Sequence, residues 1–452
     1  MTQIKGADKT ISSILGKQSV NESVRYRFLH FCLITEVENG LLIYNNLTKE
    51  LLLFSNNEYN TLIEDNFSID EEMVIELIQK WFLVPQEHDD VALSDKLIKI
   101  GRLLKNNSAV TDYNILTTTA CNARCFYCYE AGTKAITMTE KTATDVAEYI
   151  IKKSKGKEVH ITWFGGEPLC NLKAIDIICD RLTEKNVSFY SQMVSNAYLF
   201  DDELCEKAVN KWKLKWIQIT LDGLADTYNR VKNYVYNDSD AFVRVTDNIE
   251  RICKKNIAVQ VRLNMDKHNA AELNDLVTYL NERFNKYKLF TLYPQLIYED
   301  VGYEKISRTE EESAALIEQF YEFRDRIKLL NSSWNIIKRD KFKCYSCQAD
   351  DPSWLMILPD GHLGFCEHYI DSEFFGTIYD DTPKPAVWCE YCKPIQKCHT
   401  CPAYPTCLIL EKCPAGMHKC SDFDEDIRVD YIRKGVLSTY KKYKSDLMNR
   451  NE

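Results

Sequence analysis

The sequence predicts an α/β fold built on parallel strands, and three observations lead there. Between residues 113 and 335, six short runs rich in β-branched and aromatic residues alternate with amphipathic helical runs. Residues 1–95 instead place three strand-like runs ahead of two helical ones, the pattern of a separate small domain. Residues 336–452 are cysteine-rich and weakly periodic up to a last helical run. Six βα units joined by right-handed crossovers give either an open sheet or a partial (β/α)6 TIM-like barrel. In both, chemistry collects at the carboxyl ends of the strands.

In the first segment the strand runs are LHFCLITEV, GLLIYNN and ELLLFS, separated by the turn signals Glu38-Asn39-Gly40 and Asn45-Asn46-Leu47-Thr48. The helical runs are NNEYNTLIED and IDEEMVIELIQKWFLV; in the second, Val74, Leu77, Ile78 and Phe82 share one face. A small sheet followed by helices is a winged-helix-like plan, and residues 96–112 read as a linker helix. The six central strands are expected at 113–119, 158–164, 187–194, 215–221, 257–264 and 286–294. Between the first two, Ala143, Val146, Ala147, Ile150 and Ile151 form a helical apolar face.

Composition narrows the function classes. The chain has 452 residues and a net charge of -10, which gives no footprint for nucleic acid. No apolar run approaches the ~20 residues that cross a bilayer, so no membrane role is expected. The first thirty residues lack a secretory apolar core, and a cytoplasmic location is the expectation. Eighteen cysteines are many for a reducing compartment, where spaced thiols point to metal or redox chemistry. Ten lie beyond residue 340 and three sit at 121, 125 and 128. The other five, Cys32, Cys170, Cys179, Cys205 and Cys253, read as small buried hydrophobes.

The run CNARCFYC, residues 121–128, follows the first central strand. Three thiolates on one short loop can bind three irons of a cubane and leave the fourth open to a bidentate ligand. Structural zinc is the rival, but it prefers four protein ligands and paired knuckles.

CNARCFYC resembles the CxxxCxΦC motif of the radical S-adenosylmethionine (radical SAM) superfamily, with Tyr127 as the aromatic position. Gly165-Gly166-Glu167-Pro168, ending the second strand, resembles that family's GGE motif, which implies contact with the amino group of the methionine moiety. Two glycines allow close backbone approach, and Glu167 offers an acceptor for an ammonium. Ser195-Asn196 resembles the position near the ribose and carboxylate. Thr220-Leu221-Asp222-Gly223 resembles the SLDG segment of peptide-modifying members, with Thr220 keeping the hydroxyl. Arg262 on the fifth strand is a further candidate, for the methionine carboxylate. For each segment the bland alternative is a polar turn, or for Arg262 an exposed strand position.

The C-terminal run resembles the SPASM domain, which carries two auxiliary [4Fe–4S] clusters. The resemblance implies Cys344, Cys347, Cys366 and Cys413 on one cluster and Cys398, Cys401, Cys407 and Cys420 on the other. The Cys407–Cys413 spacing is longer than the family's, and Cys389 and Cys392 have no place in its pattern. Zinc ribbons are the alternative.

The first segment resembles a RiPP recognition element, which takes a precursor-peptide leader as an added strand. Its helices are acidic with Lys80 as the one basic residue, against DNA binding. Together these resemblances imply a maturase of a ribosomally made peptide with three [4Fe–4S] clusters, S-adenosylmethionine and an electron donor such as flavodoxin or ferredoxin. The implied reaction generates a 5′-deoxyadenosyl radical, takes a hydrogen from the core peptide and closes a thioether or carbon–carbon cross-link. A peptide epimerase and a sulfatase-type formylglycine maturase are the enzymatic alternatives. A non-catalytic zinc-ribbon binding protein is the alternative of another class.

Overall fold

The computed structural model describes residues 1–64, 67, 71–105, 109–236, 240–297, 308–330, 344–345, 348–367, 374–384, 396–406 and 422–451. The chain divides into two compact units. One comprises Met1–Asn107, Asn335–Asp350 and Ala386–Glu452; the other comprises Ser108–Trp334 and Asp351–Pro385.

The first unit opens with β1 (Thr2–Lys5), α1 (Lys9–Leu15) and β2 (Tyr26–Phe28). Then come β3 (Cys32–Val37), β4 (Gly40–Asn45) and β5 (Glu50–Phe54), followed by α2 (Asn56–Glu64), α3 (Glu72–Gln79), β6 (Leu83–Pro85) and α4 (Asp90–Lys105). Both expected hairpin turns are present, because β3, β4 and β5 pair antiparallel in sequence. The sheet order is β1-β5-β4-β3, and β2 pairs separately with β6. Alternation along β4 and β5 turns Ile43, Leu52 and Phe54 toward Leu62, Val74, Leu77 and Ile78 of α2 and α3.

One expectation fails here. The helical run was drawn through Val84, but the helix stops at Gln79 and the chain re-emerges as β6. Trp81 adopts φ 64°, a left-handed value that no helix can carry past. Phe82 is still buried with Val74, Leu77 and Ile78, so a shared core mimicked a shared helical face.

The second unit is the α/β body. In chain order it runs β7 (Asp112–Thr118), α5 (Glu140–Ser154), β8 (Val159–Gly165), α6 (Leu172–Glu184), β9 (Phe189–Val194), α7 (Asp202–Asn210) and β10 (Leu214–Leu221). It continues with α8 (Ala225–Lys232), α9 (Ala241–Lys254), β11 (Ala258–Met265), α10 (Leu273–Phe284), β12 (Phe290–Leu296) and α11 (Glu310–Leu330). All six expected strands are found, and each pairs parallel with the next. Three more strands, β13 (Trp354–Ile357), β14 (His362–Gly364) and β15 (Phe374–Thr377), extend the sheet beyond β7. Its order is β12-β11-β10-β9-β8-β7-β13-β14-β15, an open sheet with no closing pair among the described residues.

Burial follows the period-2 pattern. Ile161 and Trp163 of β8, Ile217 and Ile219 of β10, and Val259, Val261 and Leu263 of β11 are fully buried against the helices. The helix faces are equally regular: Ala143, Val146, Ala147 and Ile150 of α5 join that core, as the sequence spacing requires. No described helix is long and apolar enough to cross a membrane.

Candidate functional site

The cysteine loop leaves the carboxyl end of β7, and β8 delivers Gly165-Gly166-Glu167 beside it. The two glycines are needed because backbone meets backbone there. Gly165 has φ 127°, and a Cβ on it would lie 2.1 Å from the carbonyl oxygen of Thr118. A Cβ on Gly166 would lie 2.5 Å from the carbonyl oxygen of Ala120, the residue before Cys121. In their place run two hydrogen bonds, Gly166 N–H to Thr118 O at 3.1 Å and Glu167 N–H to Ala120 O at 3.0 Å. The glycines therefore clamp the start of the cysteine loop against Glu167.

Glu167 is 1% exposed. Its carboxylate accepts from the Ser195 hydroxyl and the Asn196 N–H, both at 2.8 Å, and from the Leu169 N–H at 3.2 Å. Burial pushes its pKa up to about 7, opposed by those hydrogen bonds and the charge of Lys232. Three residues that the sequence singled out separately thus form one cluster at the ends of β8 and β9. Asn196 extends it, donating to the Asn122 side-chain oxygen at 2.7 Å. The Asn122 amide nitrogen, beside Cys121, is buried with no hydrogen-bond partner.

A second cluster holds the far side of the loop. Tyr127 donates to Asp222 at 2.7 Å, and Lys232 of α8 donates to the Tyr127 oxygen at 3.0 Å while pairing with Asp222 at 3.0 Å. Asn264 donates to the Asp222 carboxylate at 3.1 Å, and Asn269 to its backbone carbonyl at 2.7 Å. Burial acts to lower the Lys232 pKa, but Asp222, Cys125 and Tyr127 hold it well above its ordinary value. Asp222, Tyr127 and Lys232 are therefore turned to one another as a buried brace of the loop. Lys232, Asn122 and Asn264 escaped sequence reasoning; nothing in the run ADTYNRVK distinguishes one lysine that turns inward from a solvated one.

Thr220 and Arg262 lie opposite each other on the paired strands β10 and β11, and Arg262 donates to Asn264 at 2.8 Å. Both sit inside the strands rather than in the loops beyond them. A cavity of about 720 Å³ opens beside the loop, lined by Arg124, Phe126, Val231, Asp266 and Asn269 among others. That volume lies within the range of small-molecule sites.

The C-terminal cysteines are described in part. Cys344 and Cys401 are buried, and Cys366 and Cys398 are half-buried. Cys366 follows β14, and its neighbour Glu367 lies close enough to Glu130, two residues past Cys128, to raise the Glu130 carboxyl; burial is the larger cause and takes it to about 8. Cys347, Cys389, Cys392, Cys407, Cys413 and Cys420 lie outside the described residues. Among the scattered cysteines, Cys179, Cys205 and Cys253 are buried and Cys32 is half-buried. Cys170 departs from the expectation: it is exposed, in the short 3-10 turn Pro168–Asn171 that caps β8.

Residues 115–280 match the Radical SAM superfamily. That match spans somewhat more than a third of the chain. The radical SAM cyclopropyl synthase TigE of Paramaledivibacter caminithermalis is 24% identical over 269 residues, covering 54% of this chain and 55% of that relative. The match thus spans about half of that relative's length. Among solved structures, anSMEcpe with bound AdoMet and Cp18Cys peptide superposes with a TM-score of 0.54 at 16% identity, over 73% of this chain and 99% of its own. Streptococcus suis SuiB gives 0.51 at 15% identity, over 90% and 98%. At such identities the likeness is one of fold.

The matched superfamily implies S-adenosylmethionine and a [4Fe–4S] cluster, and the residues present fit both. The matched segment places the thiols of Cys121, Cys125 and Cys128 on one loop, which is the donor set a cubane with one open iron needs. Among the described residues no three His, Cys, Asp or Glu side chains converge on a single metal-ion position. The buried carboxylate of Glu167 and the unpartnered Asn122 amide are an acceptor and a donor that would suit the amino-acid end of such a cofactor.

Proposed function

We propose that this chain is a radical SAM maturase of a ribosomally made peptide, closing a thioether or carbon–carbon link. The observation that carries the reading is the pairing of a braced three-thiol loop with ten further cysteines after residue 340. Cys121, Cys125 and Cys128 would hold the cluster. Bound together, cluster and S-adenosylmethionine supply a 5′-deoxyadenosyl radical that takes a hydrogen from the peptide.

The chain's own residues do the rest. Glu167 receives the cofactor's ammonium, held in place by Ser195 and Asn196. Tyr127, Asp222 and Lys232 fix the loop, and Thr220 and Arg262 face the cofactor from β10 and β11. The cysteines Cys344, Cys347, Cys366 and Cys413, with Cys398, Cys401, Cys407 and Cys420, would hold two auxiliary clusters that accept an electron or bind substrate sulfur. In the first unit the leader would add as a strand; β3 ends the sheet order β1-β5-β4-β3 and is one available edge. SuiB, solved with its precursor peptide SuiA, supports a peptide as partner.

The similarity to TigE favours a second product of the same chemistry, a cyclopropyl ring. Co-expression with a small cysteine-containing peptide, read by mass spectrometry, tests both. A loss of two hydrogens per site is expected, and fragmentation shows whether the new bond joins two residues. An unchanged mass with deuterium uptake from heavy water would indicate epimerisation instead.

A further inference from the structure

Two cysteine-bearing segments, 344–350 and 396–406, belong to the first unit rather than to the α/β body. Each is tied to it by residues far away in sequence. The first segment is held by α4. The Arg102 guanidinium donates to the Cys344 carbonyl at 3.0 Å and to both carboxylate oxygens of Asp350, at 3.0 and 2.8 Å. It also lies over the Tyr345 ring, 5.3 Å from the centroid, and the Tyr345 hydroxyl donates to the Arg102 carbonyl at 3.3 Å. Asp350 is 2% exposed, so a largely buried ion pair holds an irregular loop beside a thiol.

The second segment is held by the turn between β4 and β5 and again by α4. Asn46 donates to the Pro402 carbonyl, one residue past Cys401, at 2.7 Å. The buried Lys49 ammonium donates to the Asn46 side-chain oxygen at 2.7 Å, which turns the amide nitrogen toward the cysteine segment. The Tyr404 hydroxyl donates to Asp95 of α4 at 3.0 Å. Its ring stacks on Phe31 at 5.8 Å and packs into the cluster of Ile11, Leu29, Leu47 and Leu97. Between these ties the chain turns, with the Cys401 N–H on the Cys398 carbonyl at 3.4 Å. The Cys128 N–H meets the Cys125 carbonyl in the same way, at 3.1 Å. Two Cys-x2-Cys turns of one kind, one in each unit, suit one donor chemistry, thiolates offered to an iron–sulfur cluster.

We propose that Arg102 and Tyr404 are positioning residues for the auxiliary thiols, and that the first unit is the scaffold of that iron–sulfur site. This role rests on the proposed auxiliary clusters and concerns what fixes Cys344, Cys398 and Cys401 in place. A unit that only captured a leader peptide would need none of these ties. Thiolates gathered on one cluster repel each other, so the backbone that carries them has to be held before iron arrives. Hydrogen bonds around the ligands do this, and metal sites lose affinity when such bonds are removed.

The test uses the full-length protein, reconstituted anaerobically with iron and sulfide. Arg102→Met alone would strand the buried Asp350 charge, so it is combined with Asp350→Asn. Tyr404→Phe keeps the ring stack and removes only the bond to Asp95. The measurements are iron and zinc per chain, the rate of iron loss to a chelator, and 5′-deoxyadenosine formed without peptide. The last depends on the 121–128 loop in the other unit and serves as the internal control. Wild type should hold more than the roughly four irons of a single cluster. The double variant should fail to bind the additional iron or release it about tenfold faster. Tyr404→Phe should release it about threefold faster, as the loss of one hydrogen bond implies. Arg102→Lys, which keeps the charge but not the planar fork, should fall between wild type and the double variant. The internal control should stay at the wild-type level in all of them. Wild-type iron content and release in both the double variant and Tyr404→Phe would overturn the scaffold role and leave the clusters standing. If the double variant shows no cooperative unfolding, Tyr404→Phe decides by the same criterion. A wild type with no more than about four irons, or with zinc in their place, would instead sink the auxiliary-cluster reading beneath it.

Discussion

Asp222 and Lys232 are 1% and 4% exposed and lie 3.0 Å apart, and both hydrogen-bond the hydroxyl of Tyr127 on the cysteine loop. Removing one member of such a pair strands the other charge in the interior, at a cost of about 3–5 kcal/mol. Lys232→Met is therefore expected to lower the urea midpoint strongly, and adding Asp222→Asn should recover part of the loss. If the two substitutions were simply additive, the brace would not be a coupled unit. Gly166→Ala works differently, since the new Cβ collides with the Ala120 carbonyl and pushes apart the loop and Glu167. Reconstituted Gly166→Ala should hold much less iron than wild type while keeping a cooperative unfolding transition. At this scale the residue types announced what the structure brings together: the two glycines stand where backbone meets backbone, and Glu167 meets Ser195 and Asn196 in one cluster. It concealed the brace, because a lysine on a short helix reads as a solvated charge until tertiary structure turns it inward.

Between elements, the most telling tie is Asp90, the first residue of α4. It is bound by the two terminal guanidinium nitrogens of Arg27 on β2, by the His30 N–H at 2.7 Å and by the His88 ring at 2.7 Å. Burial alone would raise its pKa, but these partners outweigh it and hold the carboxyl at about 2, below its ordinary 3.8. A depressed carboxylate stabilises the fold fully above about pH 4, and that contribution, about 2 kcal/mol, is lost as pH falls through 2. Thermal unfolding of Asp90→Asn should therefore differ from wild type at pH 6 and converge with it near pH 2. A constant gap across that range would remove the linkage. The six parallel strands were legible because each is a short β-branched run with turn residues at its ends. β13 was not: WLMI is four continuous apolar residues, and a strand buried on both faces has no alternation to read. β6 was hidden for the opposite reason, since Phe82 continued a helical spacing by accident of packing.

Across the whole molecule, the open parallel sheet gathers Cys121, Glu167, Ser195 and Asp222 at the carboxyl ends of successive strands, as α/β architecture requires. Composition placed ten cysteines in one stretch without fixing their partners, because spacing along the chain does not say which thiols meet in space. The central claim is that Cys121, Cys125 and Cys128 hold a cluster that cleaves S-adenosylmethionine. Anaerobic reconstitution of wild type and Cys125→Ala, with iron, sulfide and zinc analysis and assay of 5′-deoxyadenosine, tests it most directly. The variant should lose about four irons and all 5′-deoxyadenosine formation while keeping the remaining iron. Zinc in place of iron in the wild type, or undiminished 5′-deoxyadenosine from the variant, would contradict it.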